Sequence, residues 1–167
     1  MEYAYIRNAT YEANMAIRES GLIVLTWGNA SAADPDAGVF AIKPSGVAYE
    51  ELSPEKIVIV SIQTGEVVDG TLRPSSDTPT HQRIYAAFPS VRGIVHTHSV
   101  NATSFAQSAQ SIPCLGTTHA DHFAGEVPVT RHPTTQEIQA GYEAATGDII
   151  VEHFRNAGID PLHVPAV

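Results

Sequence analysis

A short hairpin in the middle of the chain constrains the fold most. Ile57–Ile62 is rich in β-branched residues, Gln63–Glu66 has the composition of a tight turn, and Val67-Val68 resumes the apolar pattern. Strands joined by so few residues must be antiparallel, because parallel neighbours need a crossover of a dozen residues or more. Val39–Lys43 is a further predicted strand, and we expect it to form a second hairpin with Leu22–Trp27.

Helical patterns separate these strands. The spacing of apolar residues predicts helices over residues 3–20, 78–88, 99–107 and 134–156. The last begins with the capping-box pattern Thr134–Glu137 and should jog near Gly147-Asp148. Residues 112–115 and 127–130 are predicted short strands. The pattern favours a single domain, residues 1–167, with three α/β/α layers and a largely antiparallel central sheet. No Gly-rich phosphate fingerprint follows a strand, which argues against a doubly wound fold.

Charge and composition exclude several classes of function. The chain has 167 residues and a net charge of −9, which argues against nucleic-acid and anionic-membrane partners. Its single cysteine, Cys114, cannot form an intrachain disulfide and fits a reducing compartment. There is no signal-peptide pattern and no apolar run of membrane-spanning length. We therefore expect a soluble cytoplasmic protein.

A His-x-His pair marks the candidate site. Gly93–His98 predicts a strand that ends in His96 and His98, and the two-residue period of a strand places both imidazoles on one face. Paired imidazoles suit zinc and its first-row neighbours. The alternative is one core histidine and one surface histidine.

Asp77 has two interpretations. It could supply a carboxylate to a metal, or a base beside it. It also lies just before a predicted helix, where Ser-Asp-Thr-Pro is a good capping sequence. The two roles are compatible.

Small polar corners form a candidate anion site. They combine glycines that allow close backbone approach, side-chain donors and one cation, next to a helix N-terminus that attracts anions. These residues are Gly28, Asn29, Lys43, Ser45, Gly46, Ser75 and Ser76. Each one alone is also compatible with an ordinary turn.

Two acidic residues are acid–base candidates. Asp121 lies between His119 and His122 on a predicted loop, where a carboxylate near a metal could exchange protons with a substrate hydroxyl. Glu143 lies on a predicted helix and is by default a surface residue. The remaining histidines are expected at the surface or in caps, without an assigned role: His81, His132, His153 and His163.

Taken together, these stretches resemble the L-ribulose-5-phosphate 4-epimerases of the class II aldolase/epimerase superfamily. The resemblance runs along the whole chain, and five motifs carry it: Thr26–Asn29, Ile42–Gly46, Pro74–His81, Gly93–His98 and Gly116–Asp121.

The resemblance implies a role for each candidate. His96, His98 and Asp77 correspond to zinc-site residues, although manganese or cobalt is also compatible with them. Asp121 corresponds to a catalytic proton carrier, and the polar corners correspond to sugar-phosphate contacts. Thr117 and Glu143 fall at positions next to the substrate. The related fuculose-phosphate aldolases carry glutamate at the position of Asp77, so aspartate favours the epimerase.

The implied reaction interconverts L-ribulose 5-phosphate and D-xylulose 5-phosphate by cleaving C3–C4 and rejoining it on the other face. The implied protein is a homotetramer with active sites at subunit interfaces, acting in arabinose or ascorbate catabolism. The resemblance also implies a third zinc histidine and a catalytic tyrosine in a C-terminal part beyond Val167. We therefore expect residues 1–167 alone to bind zinc weakly and to epimerise poorly. The alternatives are an aldolase acting on a related sugar phosphate, or a non-catalytic module that only binds or assembles.

Overall fold

Five short antiparallel strands form the centre of the structure. The computed structural model describes residues 2–167, and its strands are β1 (Asn29–Asp34), β2 (Val39–Ile42), β3 (Val58–Ser61), β4 (Val67–Asp69) and β5 (Gly93–His96). Their order in the sheet is β4-β3-β2-β1-β5, and every neighbouring pair is antiparallel. The predicted hairpin between β3 and β4 is confirmed.

Helices cover both faces of this sheet. They are α1 (Ala4–Glu19), α2 (Thr78–Ala87), α3 (Val100–Gln107), α4 (Thr117–Ala120) and α5 (Thr135–Ala157), with two 3-10 turns at Tyr49–Glu51 and Pro54–Lys56. The helix α1 and the 3-10 turns lie on one face, α2 lies on the other, and α5 packs against α2. The predicted three-layer α/β/α architecture is confirmed. Each helix in the described part of the chain is too short or too polar to cross a bilayer.

The two central strands divide the core into two halves. Alternate residues of β2 and β3 point to opposite faces, so each strand contributes to both halves and is buried along most of its length. The half beneath α1 contains Ile6, Val39, Ala41, Tyr49, Leu52, Ile57 and Ile59. The half beneath α2 contains Phe40, Ile42, Val58, Val60 and Tyr85.

Helix α1 buries polar side chains that its apolar pattern did not predict. Asn14 is fully buried, and its amide forms two hydrogen bonds with the backbone of Ala30 in β1, at 2.9 and 3.0 Å. Arg7 is also buried; it donates to the carbonyl of Ile57 and forms an ion pair of 2.7 Å with Asp69. These contacts fix α1 to β1 and to the β3–β4 hairpin.

Three predicted strands are wrong. Leu22–Trp27 is a turn closed by a single β-bridge between Val24 and Trp27, and Leu25 has a φ of 57°. The strand that pairs with β2 is instead β1, whose small residues gave no strand signal. Residues 112–115 and 127–130 share only the bridge between Ile112 and Val127.

The predicted start of α5 is confirmed, but the predicted jog is misplaced. Thr134 and Glu137 form the capping box. The helix is interrupted at Gly141, with a φ of 147°, whereas Gly147 lies in regular helix. A Cβ at Gly147 would lie 2.8 Å from Cβ of Arg83 and 2.9 Å from the carbonyl oxygen of Thr80. Gly147 therefore allows α5 to approach α2 closely.

This contact predicts that Gly147→Ala destabilises the protein. Overpacking of this kind costs about 1–3 kcal/mol, which outweighs the roughly 1 kcal/mol that alanine gains from helix propensity. Urea unfolding followed by circular dichroism measures the change. The matched control is Gly116→Ala, because Gly116 is extended and has no atom within 4 Å of the added Cβ. A Gly147→Ala variant at least as stable as the wild type would contradict this packing.

Candidate functional site

The candidate site forms where β1 begins and β5 ends. Asn29 is the first residue of β1, and it pairs in register with His96, the last residue of β5. Gly28 precedes this pair with a φ of 89°, and a Cβ there would lie 3.0 Å from the carbonyl oxygen of His96. Glycine therefore lets the chain enter β1 close beside β5, which brings Asn29 and His96 together.

Asp77 joins this pair from the start of α2. Its Oδ2 accepts a hydrogen bond from Nδ2 of Asn29 at 2.6 Å and lies 2.8 Å from Nδ1 of His96. Asp77 occupies the N-cap position, but its side chain forms no capping hydrogen bond. Ser75 accepts from the Asp77 N–H through Oγ and from the Thr78 N–H through its carbonyl. Because Ser75 satisfies these donors, the Asp77 carboxylate is available to the site.

The two histidines of the His-x-His pair are neighbours. Their ring centroids are 5.0 Å apart, although β5 ends at His96 and His98 lies beyond it. The ring of Trp27 lies 5.6 Å from the ring of His98. The turn that was wrongly predicted as a strand thus brings an aromatic residue to the site.

The Asp77–His96 pair is polarised by its surroundings. The hydrogen bond between His96 and Asp77 raises the pKa of His96 above its ordinary value, although burial alone would lower it. Burial by itself raises the pKa of the Asp77 carboxyl, but the hydrogen bond and charge of His96 and the hydrogen bond from Asn29 outweigh it, so this pKa is lowered. The pair therefore favours an imidazolium beside a carboxylate.

Lys43 and Ser75 lie on adjacent loops. The N–H of Ser75 donates to the carbonyl of Lys43 at 3.0 Å, and the N–H of Ser45 donates to the carbonyl of Arg73 at 2.9 Å. The Lys43 ammonium is buried, donates to the carbonyl of Val47 at 2.7 Å, and forms no ion pair within residues 2–167. Burial lowers its pKa. Two predicted anion-binding corners therefore meet, although Ser45, Gly46 and Ser76 are exposed.

Asp121, Thr117 and Glu143 are not linked to this cluster by hydrogen bonds. Asp121 is exposed at the end of α4, and its N–H donates to the carbonyl of Thr117 at 2.8 Å. Glu143 lies on α5, where its carbonyl accepts from Thr80 of α2 at 2.6 Å. Across residues 2–167, no three His, Cys, Asp or Glu side chains are close enough together to hold a metal ion.

Comparison with known proteins identifies the family. The model of the family described as Class II Aldolase and Adducin N-terminal domain matches residues 8–163, nearly the whole chain. The chain belongs to this family. The five-stranded antiparallel sheet with its covering helices is accordingly a class II aldolase fold.

Solved structures with this fold are similar along most of the chain. A protein named L-fuculose 1-phosphate aldolase is 21% identical, with a TM-score of 0.73 over 99% of this chain and 92% of its own. L-fuculose-1-phosphate aldolase from Thermus thermophilus is 26% identical, with a TM-score of 0.65 over 89% and 74%. YgbL from Klebsiella pneumoniae, described as a putative aldolase/epimerase/decarboxylase, is 24% identical, with a TM-score of 0.68 over 89% and 73%.

The side chains at this site of the class II aldolase domain are of the types that bind a divalent metal. Asp77 holds Nδ1 of His96, so Nε2 can bind a metal that displaces its proton. A carboxylate that orients a ligating histidine in this way is usual at zinc sites. The adjacent His98 offers a second imidazole. A catalytic zinc site needs three protein ligands, so the residues present account for part of such a site.

Sequence reasoning missed a buried histidine beside this cluster. His81 is 1% exposed, and its Nδ1 lies 2.7 Å from Oγ of Ser31, which in turn lies 2.7 Å from the hydroxyl of Tyr85. The sequence did contain a sign that His81 is buried. The buried face of α2 includes Thr78, His81 and Tyr85, which follow one another at the three- and four-residue spacing of one helix face.

This network predicts that the aldolase domain loses stability in mild acid. Burial lowers the pKa of His81 from 6.5 to about 4. Between these values the unfolded chain binds a proton that the folded protein excludes, so stability is full above pH 6.5 and falls as the pH drops to about 4. The loss amounts to about 3 kcal/mol. His96 has the opposite effect, because its raised pKa adds stability that is present at lower pH and is lost as the pH rises.

Urea midpoints measured from pH 7 to pH 4 test this assignment. The variant His81→Gln should show a much flatter pH dependence than the wild type, and the exposed control His132→Gln should not. Equal slopes in the wild type and His81→Gln would show that another group is responsible.

Proposed function

We propose that the protein is a sugar-phosphate enzyme that uses aldol chemistry, and that it interconverts L-ribulose 5-phosphate and D-xylulose 5-phosphate. The observation that supports this best is the Asp77–His96 hydrogen bond of 2.8 Å beside His98. A carboxylate freed from helix capping and two adjacent imidazoles are the groups that a metal-assisted aldol cleavage needs.

His96 and His98 are the proposed metal ligands, with zinc as the preferred ion and manganese or cobalt as alternatives. These are two of the three protein ligands that a catalytic zinc site needs. When bound, such an ion acts as a Lewis acid that stabilises negative charge on substrate oxygens. Asp77 orients His96 through Nδ1 and keeps its Nε2 directed away from the carboxylate.

The polar corners are the proposed phosphate site. Ser45, Gly46 and Ser76 are exposed, and their backbone and hydroxyl donors can bind an anion despite the net charge of −9. Lys43, whose carbonyl accepts from the Ser75 N–H, adds a positive charge to this region. Its buried ammonium lacks an anionic partner in the described chain, so a phosphate nearby would gain electrostatic stabilisation.

Asp121 is the proposed carrier of the C4 hydroxyl proton, with Thr117 and Glu143 next to the substrate. The Asp121 carboxylate is exposed and forms no hydrogen bond with Asp77 or His96 of its own chain among residues 2–167. A homotetramer with active sites at subunit interfaces would let Asp121 serve a second copy, and we propose that assembly.

An aldolase is the second candidate, because two of the similar structures are named L-fuculose-1-phosphate aldolases. The resemblance described above favours the epimerase, because it implies glutamate at the position of Asp77 in fuculose-phosphate aldolases. A non-catalytic module is the third candidate, since the family description also covers the adducin N-terminal domain.

Product analysis separates these candidates. The protein is loaded with zinc and incubated with L-ribulose 5-phosphate, and the products are resolved by chromatography. The epimerase should form D-xylulose 5-phosphate without accumulating a free aldehyde, whereas an aldolase should release the aldehyde fragment. Asp77→Asn should lower turnover by about 100-fold or more. The control Asp36→Asn, in an exposed turn, should not. A preparation that retains zinc and yet shows no turnover, not even a weak one, would favour the non-catalytic module.

Metal content tests the metal centre independently of turnover. His96→Ala should lower zinc occupancy, measured by mass spectrometry after dialysis, because it removes one of the two adjacent imidazoles. The exposed control His132→Ala should retain the zinc occupancy of the wild type. Unchanged occupancy in His96→Ala would refute the proposed metal site.

A further inference from the structure

We infer that Ser31 is a positioning residue for the Asp77–His96 pair. Its hydroxyl holds α2 against β1 one helical turn beyond Asp77, and so it determines where the carboxylate meets the imidazole. The inference rests on the proposed function, since it concerns how the same metal site is held in place.

One buried hydroxyl joins two successive turns of α2. Oγ of Ser31 lies 2.7 Å from Nδ1 of His81 and 2.7 Å from the hydroxyl of Tyr85. All three residues are 3% exposed or less. A hydroxyl has one hydrogen to donate and can accept two hydrogen bonds, so Ser31 can satisfy both partners. Removal of this hydroxyl would leave two polar groups buried without it, which ties the position of α2 to Ser31.

The helix face that contacts Ser31 also carries Asp77. Asp77, His81 and Tyr85 follow one another at intervals of four residues, which places them along one face of α2. Neighbouring members are about 6 Å apart along the helix axis. A shift or rotation of α2 that broke the Ser31 contacts would therefore move Asp77 as well.

The strands have a matching arrangement. Asn29 and Ser31 are two residues apart in β1 and so lie on one face, and their register partners in β5 are His96 and Ile94. The Ser31 contacts thus lie one step along the same strand pair from the candidate site. Because α2 is held at this step, it presents Asp77 to His96 at the next one.

The pair at the site needs this support because water reaches it. The side chains of Asp77 and His96 are 24% and 40% exposed. A hydrogen bond that is open to solvent exchanges with water at a small net free energy, so it does not by itself fix the two groups. The buried contacts of Ser31 are protected from that exchange, and so they can set the geometry of the pair.

Two measurements report this geometry without catalysis. In alkaline solution the neutral His96 ring should carry its hydrogen on Nδ1, which faces Asp77, and ¹⁵N NMR of the ring distinguishes this tautomer from the Nε2–H form. Trp27 is the single tryptophan of the chain, and its ring lies 5.6 Å from that of His98. Quenching of its fluorescence by paramagnetic Co²⁺ therefore reports metal affinity.

A positioning role predicts coupled changes in both measurements. Ser31→Ala should shift His96 toward the Nε2–H tautomer and weaken Co²⁺ binding by about 3- to 10-fold, less than the roughly 10- to 100-fold that loss of a direct outer-shell partner costs. Tyr85→Phe removes one of the two contacts and should give smaller changes in the same direction. In an Asp77→Ala background, Ser31→Ala should change Co²⁺ affinity by about twofold or less, because Ser31 acts through Asp77.

The control Thr10→Ala separates positioning from stability. Thr10 is fully buried on α1, on the other face of the sheet, and its hydroxyl donates to the carbonyl of Ala41 at 3.4 Å. Its removal should lower the free energy of unfolding, as Ser31→Ala does, because both variants lose a buried hydrogen bond. The His96 tautomer and the Co²⁺ affinity of Thr10→Ala should match those of the wild type.

Three results would overturn the inference. They are a wild-type His96 ring that does not favour Nδ1–H, an unchanged tautomer or Co²⁺ affinity in Ser31→Ala, or equal losses in Thr10→Ala. If Ser31→Ala fails to fold by circular dichroism, Tyr85→Phe is judged by the same two measurements. If Co²⁺ does not bind the wild type, or binds His96→Ala equally well, the proposed metal site fails and the His96 tautomer alone decides this inference. If His96→Ala loses Co²⁺ and Ser31→Ala behaves as the wild type, only this inference fails.

Discussion

Two polar contacts between β1 and α2 determine how this helix packs on the sheet. Asn29 contacts Asp77 and Ser31 contacts His81, so a two-residue step along the strand matches a four-residue step along the helix. These steps are about 6.6 Å and 6 Å, which is why a helix can lie along a strand with both contacts formed. On the other face of β1, Asn14 of α1 binds the backbone of Ala30. The small residues of β1 leave room for both helices.

The site is a consequence of these contacts. The Asn29–Asp77 contact lies at the end of β1 where β5 also ends, so the same geometry that aligns α2 brings a carboxylate to His96. Ser75 caps the N-terminus of α2, which leaves the Asp77 side chain free. The Asp77 carboxylate thus both holds α2 to β1 through Asn29 and contacts the candidate metal ligand His96. This sharing explains why a capping sequence and a metal-site sequence occupy the same positions.

Most of the fold was predictable because it follows from local patterns. The β3–β4 hairpin, the start of α5 at its capping box, and the extents of α1 and α2 all come from neighbouring residues that satisfy one another. The errors fall where distant residues decide the conformation. β1 is a strand because β2 and β5 pair with it on both sides, and Gly147 is a glycine because α2 approaches it.

The sequence by itself determined which residue types were available for chemistry: the histidine pair, the aspartate before α2 and the polar corners at strand ends. The tertiary structure decided which of them meet. It joined Asn29, Asp77 and His96 from three separate elements of the chain, buried His81, and left Asp121 exposed and without a hydrogen bond to them. The physical reason is that side-chain hydrogen bonds have a reach of about 3 Å, whereas sequence patterns describe only neighbours along one strand or helix.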